Sequence, residues 1–310
     1  MPSRIDDERV RSAAFRWLAD QVKLQGEVLP RNLLAQGFEL AGNRIPLLGP
    51  QGIFKPRVLD EIPISITTTV HGPYDDQLGD NGLIQYRYRG TDPSHRDNVG
   101  LRKAMARQTP LVYFHALSPG MYMAVWPVFI VGDNPSGLTF QVAVDDLSYA
   151  DNFVRKSGEA VIAEDSGRRQ YITRTVKQRL HQRSFRERVL TAYRKQCALC
   201  RLKHDELLDA AHIIPDGEPG GEPVVVNGIS LCKLHHAAFD SFFLGIDSDY
   251  LIQIRRDILD EEDGPMLLHG LKGMHGNRII VPRDSNSRPS QDKLEVRYDR
   301  FLKAEREVLG

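Results

Sequence analysis

Cysteine is scarce: three residues in a chain of 310, all between positions 197 and 232. Thiols so few and so tightly grouped exclude a disulfide framework. Net charge is missing as well, since 41 Lys and Arg face 41 Asp and Glu. No whole-chain excess of one sign advertises a polyanionic partner, so such a partner has to be read from where the charges sit. Long apolar runs are also absent. None approaches the ~20 residues that span a bilayer, and the N-terminus, MPSRIDDERV, lacks the apolar core of a signal peptide. What remains is ordinary globular composition, 41% hydrophobic and 26% charged, which rules out collagen-like, coiled-coil and disordered chains. At roughly 150 residues per domain the length predicts two domains. The expectation is a soluble, cytoplasmic protein with no membrane partner.

Hydrophobic spacing then divides the chain. Val10, Ala13, Ala14, Trp17, Leu18 and Val22 return at helical intervals and predict an amphipathic helix over Ile5–Gln25. From Phe38 to about Leu147 the pattern turns to short β-rich runs: Ile64–Val70, Leu83–Tyr88, Leu111–Ala116, Met121–Val131 and Leu138–Val144. Turn signals such as Gly72-Pro73 and Asp133-Asn134-Pro135 separate them, and one helical stretch, Gly100–Arg107, interrupts them. Many short strands with little helix predict a curled sheet or barrel. Between Arg168 and Lys203 there are twelve Lys and Arg against one acid, Glu187. Solvating helices usually interleave both signs, so this lopsided segment, with a helix over Phe185–Lys195, favours contact with a phosphate backbone.

The densest chemistry follows: Cys197-Ala-Leu-Cys200, Asp209-Ala-Ala-His212, Asn227-Gly228, and Cys232-Lys-Leu-His235-His236-Ala-Ala-Phe-Asp240. A Cys-x-x-Cys knuckle with a later Cys-x-x-His pair supplies the four soft or borderline ligands that tetrahedral Zn²⁺ requires. If Leu231–Phe243 is helical, Cys232 and His235 share a face, while His236 lies ~100° further round and pairs with Asp240 at i,i+4. That geometry assigns Cys197, Cys200, Cys232 and His235 to a structural zinc and frees His236 for chemistry.

With Asn227 nine residues before His236 and His212 fifteen before Asn227, the block resembles the HNH nuclease motif, the ββα-metal fold. The resemblance covers roughly residues 185 to 245. It implies that His212, ending the first strand, is the general base that activates water. Asn227 would fix the loop carrying the base, His236 would ligate a catalytic Mg²⁺ or Mn²⁺, and Asp240 is a further metal-binding position. One departure is clear. Many members of the family place a metal-ligating His or Asp immediately before the base, where this chain has Ala211. Either Asp209 supplies a carboxylate through a bend in the strand, or the ion is held sparsely by His236, Asp240, waters and substrate, as Mg²⁺ tolerates.

In the N-terminal half, Gly72-Pro-Tyr74-Asp75-Asp76 and Tyr86-Arg87-Tyr88-Arg89-Gly90, followed by His95, interleave Arg, Tyr and acids around turns. Residue physics leaves two readings open, a loop contacting nucleic acid or a tyrosine-rich sheet edge. The string resembles the SRA domains, PUA-like curled sheets that flip a modified cytosine out of duplex DNA, over roughly residues 40 to 150. That resemblance implies Tyr74 and Tyr88 as the rings sandwiching the base and Asp75 or Asp76 as the carboxylate on its amine. Arg87, Arg89 and His95 would hold the displaced backbone.

The expected fold is therefore α+β: a β-rich, barrel-like, SRA/PUA-like recognition domain over 1–165, a basic linker over 166–184, and a ββα-metal HNH domain over 185–310. The expected function is a modification-dependent restriction endonuclease acting on double-stranded DNA that carries 5-methylcytosine or hydroxymethylcytosine. Alternatives are an HNH nuclease reading phosphorothioate DNA and a catalytically weak DNA-binding protein. Double-strand cleavage from one site per chain would require a homodimer or two successive nicks.

Overall fold

A computed structural model describes residues 6–68, 83–145, 165–262 and 264–309. The chain divides into two compact units, Met1–Leu180 and His181–Gly310. The architecture is mixed α+β, with one curled sheet in the first unit and small two-stranded sheets beside it and in the second.

In the first unit α1 (Asp7–Gln25) leads into β1 (Val28–Pro30), α2 (Arg31–Gln36), β2 (Phe38–Leu40) and β3 (Asn43–Ile45). Next come β4 (Ile53–Phe54), β5 (Ser65–Thr67), β6 (Ile84–Arg87), α3 (Arg96–Ala106), β7 (Leu111–Ser118), β8 (Met121–Asn134) and β9 (Thr139–Val144). The sheet runs β4-β5-β7-β8-β9-β6, with β1 added against β8. Only the β5–β7 pair within it is parallel. All five expected β-rich runs contain strands of this sheet. The apolar run Leu-Val-Tyr-Phe of β7 has a direct cause: both faces are covered, so neither alternate set can be polar. Val112 and Phe114 join the core beneath α1, with Val10, Ala14 and Leu18. Leu111 and Tyr113 face the opposite core, with Leu101 and Ala104 of α3.

Helix α4 (Asp165–Ala192) begins well before the expected Phe185 and absorbs the segment read as a linker. Ile172, Val176 and Leu180 pack with the first unit's core, whereas Phe185, Val189 and Leu190 belong to the core of the second. The basic segment is thus a helix with apolar positions of its own.

The second unit contains β10 (Leu208–His212) paired antiparallel with β11 (Gly228–Cys232), then α5 (Lys233–Asp240). A second pair, β12 (Leu244–Ile246) and β13 (Ile252–Ile254), precedes α6 (Arg256–Asp260), α7 (Pro265–Gly270) and α8 (Gln291–Leu309). Gly228 lets α4 lie directly on the strand pair: a Cβ there would come within 2.5 Å of Val189 and 2.8 Å of Phe185. That close approach delivers the Phe185 ring to the end of β10.

Candidate active site and metal centre

Two clusters sit on opposite sides of α5. The first gathers all three cysteines. The ligand atoms of Cys197, Cys200, Cys232 and His235 all lie within 4.8 Å of one another. Nδ1 of His235 is 3.4 Å from the Cys197 sulfur and 3.2 Å from that of Cys232, while Cys200 and Cys232 are 3.9 Å apart. The other ring nitrogen of His235 lies 2.6 Å from the carbonyl of Gly270. A proton on Nε2 satisfies that contact and leaves the Nδ1 lone pair facing the sulfurs, the usual outer support of a metal-ligating histidine. Hydrogen bonding between Cys197 and Cys232 splits their proton affinities, holding Cys197 below the ordinary thiol range and pushing Cys232 up to about 11. Three sulfurs and one imidazole nitrogen at these separations fit a tetrahedral divalent ion. The register explains the assembly: β10 pairs Leu208 with Cys232, and the Ala198 amide bonds to Ser230 at 2.7 Å, bringing the knuckle against β11.

The second cluster joins β10 to the other side of α5. His236 is bracketed by two carboxylates: Nδ1 lies 3.5 Å from Asp209, and Nε2 lies 3.3 Å from Asp240. The i,i+4 pair expected from helical spacing is therefore present. Hydrogen bonding to Asp240 raises the proton affinity of His236 and lowers that of Asp240. Asp209 meets two cations, Lys233 at 2.7 Å and Arg186 at 3.8 Å. Burial pushes this carboxyl up, but Lys233 and His236 outweigh it and leave the group below its ordinary range. Asp209 stands where a partner for the far nitrogen of His236 stands, with one oxygen taken up by Lys233.

His212 ends β10 with its ring stacked on Phe185, centroids 4.1 Å apart and planes 21° apart. Its Nε2 is enclosed and has no hydrogen-bond partner. Burial lowers the proton affinity of His212, because the charged ring is solvated less well in this enclosed setting than in water. Asn227 is fully buried and clamps the chain just beyond this histidine. It accepts from the Ile214 amide at 2.9 Å and donates to the carbonyls of Ile214 at 3.0 Å and Glu222 at 3.1 Å.

Several basic residues turn out to be internal supports. Arg186 donates to the carbonyls of Asp205 and Leu208 at 2.6 and 2.9 Å, and Arg188 donates to that of Pro223 at 2.8 Å. Within the basic segment read as a phosphate contact, these two arginines tie down the loops that enter β10 and precede β11. Phe185, Lys233 and Arg297 also shape the cluster and carry no motif by which sequence spacing could have found them.

In the first unit, Tyr74, Asp75 and Asp76 lie outside the described residues. Tyr88 departs from its expected role. Its ring is 5% exposed, stacks on Phe140 at 4.5 Å, and its hydroxyl bonds to Asp133 and to Arg102. The ring is packed on Phe140 with its hydroxyl taken by Asp133 and Arg102, so it is a side chain built into the sheet at the border of a cleft, not a free platform. His95 caps α3 by accepting from the Asp97 amide at 3.2 Å, and Arg89 bonds to Gln51 and, at 2.6 Å, to Asp97. Arg87 is exposed at the end of β6. A cleft of about 360 Å³ opens here, lined among others by Ile53, Thr67, Tyr86, Arg87 and Arg89. The hydroxyl of Thr67 is enclosed and has no hydrogen-bond partner.

Residues 197–247, which span both clusters, match the HNH endonuclease family. The matched stretch lies wholly within the second unit, and the family it resembles is one of endonucleases. Among solved structures, the chain is similar to the modification dependent TagI restriction endonuclease, with 16% identity, covering 77% of this chain and 82% of that one at a TM-score of 0.30. It is also similar to the Type IV phosphorothioation-dependent restriction endonuclease ScoMcrA, with 16% identity, covering 59% of this chain and 55% of that one at a TM-score of 0.21. Scores this low define no common overall fold, and the chain spans only about half of ScoMcrA. No curated protein matches the sequence.

Proposed function

We propose that the protein is a divalent-metal-dependent DNA endonuclease whose first unit directs it to DNA carrying a modified cytosine. One observation carries the nuclease reading: an unpaired, neutral histidine, His212, at a strand end beside the Asp209–His236–Asp240 cluster, within the HNH-matched stretch.

The chemistry follows from what a phosphodiester needs. Its negative charge repels a nucleophile, so water must be activated and the developing charge neutralised. His212, neutral at physiological pH, takes a proton from water as the oxygen attacks phosphorus and the P–O bond to the leaving oxygen breaks. Nε2 is enclosed, so Nδ1 is the nitrogen that receives the proton. His236 and Asp240 would hold Mg²⁺ or Mn²⁺, which supplies charge neutralisation at the phosphate when bound. Asp209 orients His236 through Nδ1, a carboxylate–histidine support, and so does not replace the ligand missing at Ala211. Cys197, Cys200, Cys232 and His235 would hold a structural Zn²⁺ that knits the knuckle to α5.

Selectivity is assigned to the first unit, an SRA-like reader of 5-methylcytosine or hydroxymethylcytosine. Its cleft of about 360 Å³ lies at the small end of the range of ligand sites, roughly 300–1,000 Å³, and suits a single base taken out of the stack. The tyrosine- and arginine-bearing wall gives it polar contacts. The deciding experiment digests matched plasmids, unmodified, cytosine-methylated, hydroxymethylated or phosphorothioated, with Mg²⁺, Mn²⁺ or chelator. Metal-dependent nicking confined to the cytosine-modified plasmids is expected. Cutting only of phosphorothioate DNA would replace the reader assignment, and binding without cutting in any metal would reduce the protein to a DNA-binding module.

A further inference from the structure

Of the buried arginines among the described residues, Arg297 lies against the proposed site with no role in the reaction. Arg297 belongs to α8, well beyond the 197–247 stretch. Its side chain is 6% exposed, and Nη2 donates to the carbonyl of Phe239 at 2.9 Å while lying 3.7 Å from Oδ1 of Asp240. The guanidinium also covers two rings at the same helix end, 4.6 Å from the centre of Phe239 and 4.3 Å from that of Phe242. Every one of these contacts falls on residues 239–242, the turn in which α5 ends.

That turn has a difficulty to resolve. Asp240 is the last residue of α5, so its carboxylate sits at the negative end of the helix, next to the Phe239 carbonyl, which accepts from the Phe242 amide only at 3.3 Å. At 58% exposed, it has little packing to stop it from swinging into water. A cation beneath the helix end answers both needs, giving the Phe239 carbonyl a second and shorter hydrogen bond and attracting the carboxylate. Arginine suits the place because its fork donates in a plane while its face stacks on rings, which an ammonium cannot do. The seating of α8 is itself tight: a Cβ on Gly245 would come within 2.6 Å of the Phe301 ring.

We propose that Arg297 is a positioning residue of the nuclease site, capping the end of α5 so that the Asp240 carboxylate stays beside His236 in the arrangement that receives the divalent ion. The inference rests on the nuclease reading.

The test uses full-length protein. Arg297→Met keeps an unbranched stem against the two rings but removes charge and donors; Arg297→Lys keeps the charge without the fork. Mn²⁺ binding is followed by the loss of the free-ion paramagnetic signal, alongside zinc content, DNA affinity in chelator, and kcat and KM for nicking. Losing a nearby positive charge would by itself tighten cation binding, so weaker binding isolates the geometric role. Arg297→Met is expected to keep its zinc and its DNA affinity, to need about tenfold more Mn²⁺, and to lower kcat with KM unchanged. Arg297→Lys should fall between it and wild type. Combined with Asp240→Asn, Arg297→Met should add little further loss, as two residues acting through one interaction do. Unaltered or tighter Mn²⁺ binding, or an equal loss of DNA affinity in chelator, overturns the assignment. If Arg297→Met sheds zinc or melts early, Arg297→Lys decides, and wild-type Mn²⁺ affinity there overturns it. Wild-type protein that neither binds Mn²⁺ nor nicks would sink the nuclease reading and this inference together. Wild-type protein that does both while the variants match it sinks only this inference.

Discussion

His212 and Tyr88 show how far a single side chain's environment governs its chemistry. The His212 ring is wedged against Phe185 with one nitrogen enclosed, and the burial favours the neutral form. His212→Ala should lower kcat by about 10²–10⁴-fold, the usual worth of a general base, while Kd for DNA measured in chelator stays near wild type. The pH profile carries the sign of the burial. Protonation removes the base, so activity falls toward acid, and a depressed proton affinity moves that fall below the ordinary histidine value of about 6.5. An acid limb centred above pH 7 would contradict this environment. Tyr88, by contrast, is a core ring. Tyr88→Ala should cost about 3 kcal/mol, as large aromatic truncations in cores do, seen as a lower Tm, and should leave the preference between modified and plain DNA unchanged.

At the scale of elements, α5 divides the labour of the second unit. Helical spacing puts Cys232 and His235 toward the knuckle and His236 and Asp240 toward β10. Adjacent histidines thus serve different clusters, because neighbouring helix positions point ~100° apart. If zinc fills the first cluster, its loss frees the start of α5 and with it the second. Metal analysis of chelator-free protein should therefore find about one zinc per chain, as a single four-ligand site implies. Cys200→Ser should abolish that zinc and melt the second unit early while a separate transition for the first persists, because structural zinc supplies folding free energy. Full zinc content in the variant, or none in wild type, would remove the structural ion from the account.

For the whole molecule, the issue is how an otherwise indiscriminate chemistry is confined. Methylated and plain duplexes share the cost of flipping a cytosine, so it largely cancels between them. Burying one methyl group contributes about 0.8 kcal/mol, roughly a fourfold preference. The full chain in chelator is expected to bind 5-methylcytosine duplexes about fourfold more tightly than plain ones. Raising salt should weaken both complexes in parallel, because phosphate contacts are common to them. Equal affinities across several sequence contexts would dismiss the flipped-cytosine reader. No helix among the described residues is long and apolar enough to cross a membrane.

The sequence by itself determined what depends on short-range spacing. The members within Cys-x-x-Cys, within Cys-x-x-His and within the i,i+4 pair of His236 and Asp240 are each about a turn apart, so each pair is local. The meeting of the two halves of the Cys/His cluster is instead set by the β10–β11 pairing and the Ala198–Ser230 bond. The β-rich runs of the first unit were legible for a similar reason, since strand periodicity and turn residues are local signals. Short elements such as β1–β4 were not, because two or three residues carry too little pattern. Nor was the C-terminal helix α8 or the start of α4 at Asp165 read from the sequence. Tertiary structure decided the rest. Whether Asp209 faces His236 depends on the pairing of β10 with β11 and the approach of α5, and whether Tyr88 stacks on a base or on Phe140 depends on how the sheet closes. Arg186 could meet a phosphate or a carbonyl, and only packing against the loop before β10 chose the carbonyl. Arg297 reaches Asp240 because α8 folds back on β12, a contact between residues far apart in the chain that no local pattern encodes.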